Sequence, residues 1–268
     1  RLYGGDDGFH YGLTLEPGDS HARSLLRSTE KLTEGAALDA SSRVLDLGCG
    51  IGSFATSTAA RFGCRVTGLT ICSAHLALAR DLAERRGVAH LVEFREADMN
   101  RLDRQEASFD LIVNQETLCY ARDRRALLES ILPLLRPGGR WAALEFALAD
   151  LPMDARARAS YRTVCDDFHL EGFETPSEVG EMLRSTGYED VEVEDVTAAA
   201  LPTARLILRH CVVPLWLVGL HLDWPFFGFG TSRLLHQGHF RAGRAFSRGL
   251  LDGRFAYAFY SGRRPCER

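Results

Sequence analysis

The stretch that most constrains this chain is Val44-Leu45-Asp46-Leu47-Gly48-Cys49-Gly50-Ile51-Gly52. Arg43 to Leu47 is short and apolar, with the character of a buried parallel strand. Gly48, Gly50 and Gly52 let the backbone bend sharply and approach a ligand that a Cβ would hold off. Ser53 to Phe62 then carries a helical pattern, so the turn lies at a helix N-terminus. Unpaired N–H groups and a partial positive charge there suit an anionic group. Asp46 stands two residues before the first glycine, at the carboxyl end of the strand. A carboxylate there accepts hydrogen bonds from a ligand ammonium or from loop amides. No Gly-Lys-Ser/Thr follows, which excludes a Walker loop. A nicotinamide-binding turn and a purely structural turn stay open.

The punctuation beyond this turn is that of alternating strands and helices. Cys64 to Leu69 reads as a second buried strand, and Ser73 to Gly87 as a helix with Gly87 as its stop. Val92 to Phe94 makes a third strand, ending at Ala97-Asp98-Met99, and Phe109 to Asn114 a fourth. Arg124 to Leu135 is an amphipathic helix stopped by Pro137-Gly138-Gly139, and Trp141 to Phe146 is a fifth strand. Leu151 to Leu170 is expected to be helical, and Thr175-Pro176-Ser177-Glu178 opens another helix with proline at its first position. Val191 to Glu194 and Arg254 to Tyr260 alternate as strands. Upstream, Asp19 or Ser20 caps a helix to about Glu34, with Leu25, Leu26 and Leu32 on one face.

A length of 268 residues accommodates one large α/β domain with a substantial insertion. The net charge of −4 disfavours a nucleic-acid partner. Seven cysteines without a Cys-x-x-Cys pair suggest neither a disulfide framework nor a zinc site, and no metal-ligand cluster stands out. A reducing, cytoplasmic setting is the simpler reading, and the first residues do not look like a targeting segment.

Val44–Gly52 resembles motif I of class I S-adenosylmethionine (SAM) methyltransferases, and Arg136-Pro137-Gly138-Gly139 is similar to a punctuation of the same family. The resemblance covers roughly residues 40–150. It implies an α/β fold: a Rossmann-like, seven-stranded, mostly parallel sheet with an N-terminal cap and a helical lid inserted between the last two strands. The expected divisions are a cap over 1–38, a SAM-binding core over 39–150, the rest of the core over 151–197 and 252–268, and the lid over 198–251.

SAM is the implied cofactor, with S-adenosylhomocysteine as product. Asp46, Gly48, Gly50 and Gly52 are the implied hold on its methionine end. Gly-Phe-His-Tyr-Gly, residues 8–12, looks like the cap segment of sterol and related small-molecule methyltransferases. Tyr11, and less so His10, are therefore ligand or packing residues. Most of the family carries an acid after strand two, where this chain has Thr70 and Ile71. That departure resembles the cyclopropane synthase branch. It offers Thr70 and His75 as ribose contacts and Ile71 as a packing surface for adenine, although His75 is equally readable as a surface helix residue. Asp98 is placed to accept the adenine amino group, with Met99 stacking on the ring, or else it caps a helix.

The exit of the fourth strand is Gln115-Glu116-Thr117-Leu118-Cys119-Tyr120-Ala121-Arg122-Asp123. Its Glu-x-x-Cys-aromatic-Ala-x-Asp resembles sterol C-methyltransferases, and Asn-x-Glu resembles prenyl-diphosphate C-methyltransferases. Gln115 joins the cofactor set. Glu116 becomes the candidate general base, with Tyr120 beside it and Glu145 as second choice. The alternative is a Glu116 that merely pairs with an arginine. The implied reaction is C-methylation of a hydrophobic, isoprenoid or sterol-like alkene; the alternative is N- or O-methylation of a natural product.

The insertion is apolar through Cys211 to Leu220 and again through Trp224 to Phe229. The first run is shorter than the roughly 20 residues a bilayer requires. It reads as a pocket wall, a buried core helix, or a membrane-surface or homodimer patch. Arg205, Arg209, Arg233, Arg241 and Arg244 either hold an anionic head group or form a solvated face.

Overall fold

The computed structural model describes residues 10–102, 109–219 and 233–266, with side-chain detail for all of these except 210–219 and 233–237. Among the described residues seven strands form one sheet: β1 (Arg43–Leu47), β2 (Arg65–Thr70), β3 (Val92–Glu96), β4 (Phe109–Gln115), β5 (Leu135–Leu148), β6 (Glu189–Asp195) and β7 (Phe255–Arg263). Their order is β3-β2-β1-β4-β5-β7-β6. Pairing is parallel from β3 through β5, and β7 lies antiparallel between β5 and β6. The chain winds outward from β1 to β3, then returns to place β4 on the other side of β1. Loops leaving β1 and β4 therefore diverge, and a crevice opens at their carboxyl ends.

Among the described residues eight α-helices accompany the sheet: α1 (His21–Thr33), α2 (Ser53–Phe62), α3 (Ser73–Arg85), α4 (Arg124–Ile131), α5 (Ala155–Phe168), α6 (Pro176–Ser185), α7 (Thr197–Gly219) and α8 (Arg233–Leu251). Side-chain alternation along the strands divides the core in two. Ala142, Leu144 and Phe146 of β5, with Tyr257 and Phe259 of β7, join the layer holding Phe54, Val164 and Phe246. Trp141, Ala143 and Ala147, with Ala258 and Tyr260, join the layer holding Leu127, Leu128 and Leu183.

Helix starts follow local chemistry. Ser20, Asp123 and Asp154 cap α1, α4 and α5 through their side chains. Thr175 and Glu178 form a reciprocal capping box around Pro176 at the head of α6.

Four expectations need correction. Leu26 is exposed, because the buried stripe of α1 runs through Ser24, Leu25, Ser28, Thr29 and Leu32. The fourth helix ends at Ile131, where Pro133 converts the chain to a 3-10 turn over Leu132–Leu134. Strand five already begins at Leu135, and Arg136–Gly139 is an irregularity within its pairing to β4 rather than a loop before it. The fifth helix is shorter than the Leu151–Leu170 span, beginning only after the Asp154 cap.

The insertion between β6 and β7 is helical, with α7 packed on α8 and α8 on α5. The N-terminal segment is tied to α1 and to α7. Leu13 N–H donates to the Ser24 carbonyl (2.9 Å), and Thr14 N–H to the Ala199 carbonyl (2.8 Å). Among the described residues no helix is long and apolar enough to cross a membrane. The apolar run Trp224–Phe229 lies outside the described residues, as do the side chains of Cys211–Gly219.

Candidate active site

The glycine turn is pinned to its neighbours by backbone and side-chain bonds. Gly48 and Cys49 both donate N–H bonds to the Leu69 carbonyl (2.9 and 2.8 Å). Thr117, just past β4, donates its hydroxyl to the Leu47 carbonyl (2.7 Å) and accepts from Asn114 Nδ2 (2.9 Å). A Cβ at Gly48 would collide with the Thr117 side chain, so this glycine is required by packing. Gly50 differs: φ is +51° and a Cβ there would meet nothing within 4 Å. The backbone at Gly50 thus borders open space at the head of α2.

Asp46 faces this turn almost wholly buried, at 2% exposure, and its Oδ2 has no hydrogen-bond partner. Burial pushes its carboxyl up to about 7, against one stabilising backbone N–H from Ala55. Gln115 Nε2 is also buried and unpartnered. Such orphaned groups each cost about 1–3 kcal/mol, and these two stand at the carboxyl ends of the paired strands β1 and β4. An acceptor, a donor and an open glycine turn fit the ammonium and carboxylate of a SAM-type amino-acid end.

Thr70 is buried at the end of β2, and its Oγ1 accepts from Cys72 N–H (3.2 Å). His75 sits half-buried in the first turn of α3, and burial lowers its pKa. Ile71 is 72% exposed, so no protein wall covers it. Asp98 caps the 3-10 turn Met99–Arg101, accepting from both the backbone and the side-chain nitrogen of Asn100 (2.9 Å each). Those bonds hold its pKa below the usual carboxylate range. Met99 is buried beneath it. Gly48–Gly52, Thr70 and Asp98 therefore lie at or just past the carboxyl ends of adjacent strands β1, β2 and β3.

Glu116 occupies the turn after β4 with a left-handed φ of +53°. Its N–H bonds the Leu144 carbonyl (2.8 Å). Oε1 accepts from the Tyr11 backbone N–H (2.6 Å) and from the Tyr257 hydroxyl (2.9 Å). Burial pushes this carboxyl up to about 8; the two donors pull it down, and nearby Glu145 pushes it further up. Glu116 pairs with no arginine among the described residues.

Glu145 belongs to the opposite side of β5. One of its oxygens accepts from Thr117 N–H (2.9 Å) and Leu118 N–H (2.8 Å), so it holds the turn that carries Glu116. Burial raises it to about 7, opposed by those two donors. Tyr120 is 40% exposed, with its pKa raised by burial and by adjacent Cys119 and Glu116.

The ring of Tyr11 is buried against Tyr257 (5.5 Å), Phe246 (5.6 Å) and Phe146 (6.1 Å). Its hydroxyl lies 2.6 Å from Ser247 Oγ, so packing and the backbone bond to Glu116 are its roles in this structure. His10 is partly buried, bonded to the Tyr11 carbonyl (3.1 Å), and lowered to about 4 by burial. Sequence reasoning missed Tyr257, Ser247 and Thr117. Only the alternation of Arg254–Tyr260 hinted that Tyr257 faces inward.

Arg241 is engaged by Asp167 through two bonds (2.9 and 2.6 Å). Arg205, Arg209 and Arg244 are exposed, and the Arg233 side chain lies outside the described detail.

Residues 44–139 match a family model described as a methyltransferase domain. The chain is 30% identical to a sarcosine/dimethylglycine N-methyltransferase of Halorhodospira halochloris, over 73% of this chain and 69% of that protein. It is 31% identical to the 27-O-demethylrifamycin SV methyltransferase of Amycolatopsis mediterranei, over 76% and 74% of the two chains. Similarity to a sterol 24-C-methyltransferase of Saccharomyces cerevisiae is 30% over 55% of this chain and 38% of that one. Among solved structures, a [4+2]-cyclase aligns with a TM-score of 0.77 at 23% identity, covering 99% and 90% of the chains. A geranyl diphosphate C-methyltransferase from Streptomyces coelicolor, bound to Mg2+, geranyl diphosphate and S-adenosylhomocysteine, aligns with a TM-score of 0.73 at 19% identity, covering 98% and 93%. At those identities the structural likeness describes the fold.

Proposed function

Because the chain belongs to the class I SAM-dependent methyltransferases, we propose that it methylates a carbon of a hydrophobic, isoprenoid-like alkene with Glu116 as general base. When bound, SAM supplies an electrophilic methyl group on a sulfonium. Asp46, Gln115 and the Gly48–Gly52 turn would hold its amino-acid end. Thr70 and His75 would take the ribose, Asp98 the adenine amino group, and Ile71 and Met99 the ring faces.

The observation that carries the base assignment is the environment of Glu116. Its carboxyl is held on one oxygen by Tyr11 and Tyr257, and their rings adjoin Phe146 and Phe246. Methylation of a double bond leaves a cation on the far carbon. Aromatic faces favour such a cation. A C–H bond beside it then breaks, its electrons form a new double bond, and Glu116 takes the proton. A neighbouring sulfonium favours the ionised carboxylate this requires, although the group rests near 8 in the ligand-free chain. Tyr120 would line the acceptor side.

Glu116→Gln should lower turnover by at least about 100-fold while SAM affinity stays within a few-fold. Full turnover in that variant sinks the base role. A second reading, N- or O-methylation, draws support from the longer alignments to N- and O-methyltransferases. NMR of the product locates the new methyl group and separates the two.

A further inference from the structure

We propose that Tyr257 is a positioning residue for Glu116: its hydroxyl, with the Tyr11 backbone N–H, holds Oε1 and leaves Oε2 as the oxygen that accepts the proton. This rests on the reading of Glu116 as a base.

Both bonds to the carboxyl fall on the same atom, Oε1 (2.6 Å from Tyr11 N, 2.9 Å from Tyr257 Oη). No described residue bonds Oε2, and Oε2 is not among the sealed, unpartnered buried atoms. The carboxyl is therefore oriented, with one oxygen committed and the other available.

Tyr257 cannot easily turn away. It is fully buried, packs its ring on Tyr11 and on Phe146 (6.4 Å), and its N–H is taken by Thr197 Oγ1 (2.8 Å). The carboxylate-bearing turn is equally fixed, by Leu144 and Glu145. Because the donor comes from β7 and the acceptor follows β4, the sheet itself sets their distance.

A donor to a carboxylate favours its ionised form, so removing one raises the pKa. The other groups facing Glu116 stay in place when Tyr257 loses its hydroxyl. They are Tyr11 from the cap, Glu145 from β5, and Cys119 and Tyr120 from the turn after β4. Arg124 acts on Glu145 and Cys119.

The test is a 13C NMR titration of the ligand-free protein labelled at glutamate Cδ. The Glu116 signal is assigned by its loss in Glu116→Gln. In Tyr257→Phe the Glu116 midpoint should rise by about one pH unit. In Tyr11→Phe, which keeps the backbone donor, it should stay put. An unchanged midpoint in a folded Tyr257→Phe overturns the proposal. If that variant does not fold, 3,5-difluorotyrosine at position 257 supplies a stronger donor, and the midpoint must fall. The titration needs no acceptor substrate. Full turnover of Glu116→Gln would refute the base role alone, whereas an unmoved midpoint would refute only the role of Tyr257.

Discussion

The hydroxyl of Tyr11 meets Ser247 Oγ at 2.6 Å, joining two residues 236 positions apart. The bond ties the N-terminal cap to α8 of the insertion. The same tyrosine gives its backbone N–H to Glu116. Cap, insertion and candidate base are thus linked through a single residue.

Tyr11→Phe and Ser247→Ala should each destabilise the fold by about 1 kcal/mol, the usual net worth of such a bond. In the double variant the losses should be less than additive, because the second change removes a bond already gone. Denaturant titration of the four proteins measures this. Strict additivity would mean that the bond contributes nothing.

Two glycines of one turn should respond differently to alanine. Gly48→Ala forces a methyl into Thr117, so its melting temperature should fall by several degrees. Gly50→Ala meets only open space and should lose about 1–2 kcal/mol to its left-handed backbone. Its SAM affinity should nevertheless drop about tenfold or more, since the methyl occupies the ligand's side of the turn. Calorimetry with SAM distinguishes them; unaltered affinity in a folded Gly50→Ala would move the cofactor elsewhere.

Glu145→Gln should keep activity within about tenfold of the parent, because an amide oxygen still accepts from Thr117 and Leu118. Loss comparable to that of Glu116→Gln would hand the base role to Glu145.

The ligand-free protein should lose stability as pH rises from about 4 to about 8. Asp46, Glu145 and Glu116 keep their protons up to about 7, 7 and 8 in the folded chain. Unfolded, such carboxyls ionise near about 4. Their contribution to stability is therefore complete below that value and is lost as pH climbs through 7 to 8. A bound sulfonium favours the ionised forms, so the gain in melting temperature from SAM should grow over this window. The gain from S-adenosylhomocysteine, with its neutral sulfur, should grow less. A ligand-free melting temperature that is flat or rising would contradict these burial effects.

Sequence periodicity carried much of the architecture. The glycine turn after Leu47, the helix stop at Gly87 and the Thr175-Pro176-Ser177-Glu178 helix start are local patterns, and each appears in the structure. The helical insertion was legible because two alternating stretches, around Val191 and Tyr257, were separated by residues too apolar and too numerous for a hairpin loop. Errors arose where local signals compete. Pro137-Gly138-Gly139 reads as a break in the chain, yet the sheet accommodates it as an irregularity in β5. Glu116 and Glu145 both follow or lie in central strands, and composition does not say which side of the sheet each serves.

Local pattern was enough to place the strands, the helices and the glycine turn after Leu47, because these follow from near-neighbour chemistry and from a strand period of two. Tertiary structure alone decided that Tyr11, Glu116, Ser247 and Tyr257 meet. Their encounter depends on β7 entering between β5 and β6 and on α8 returning over the cap. Such long-range pairings leave no local pattern, so the partners that orient a buried carboxyl emerge only when the whole core is packed.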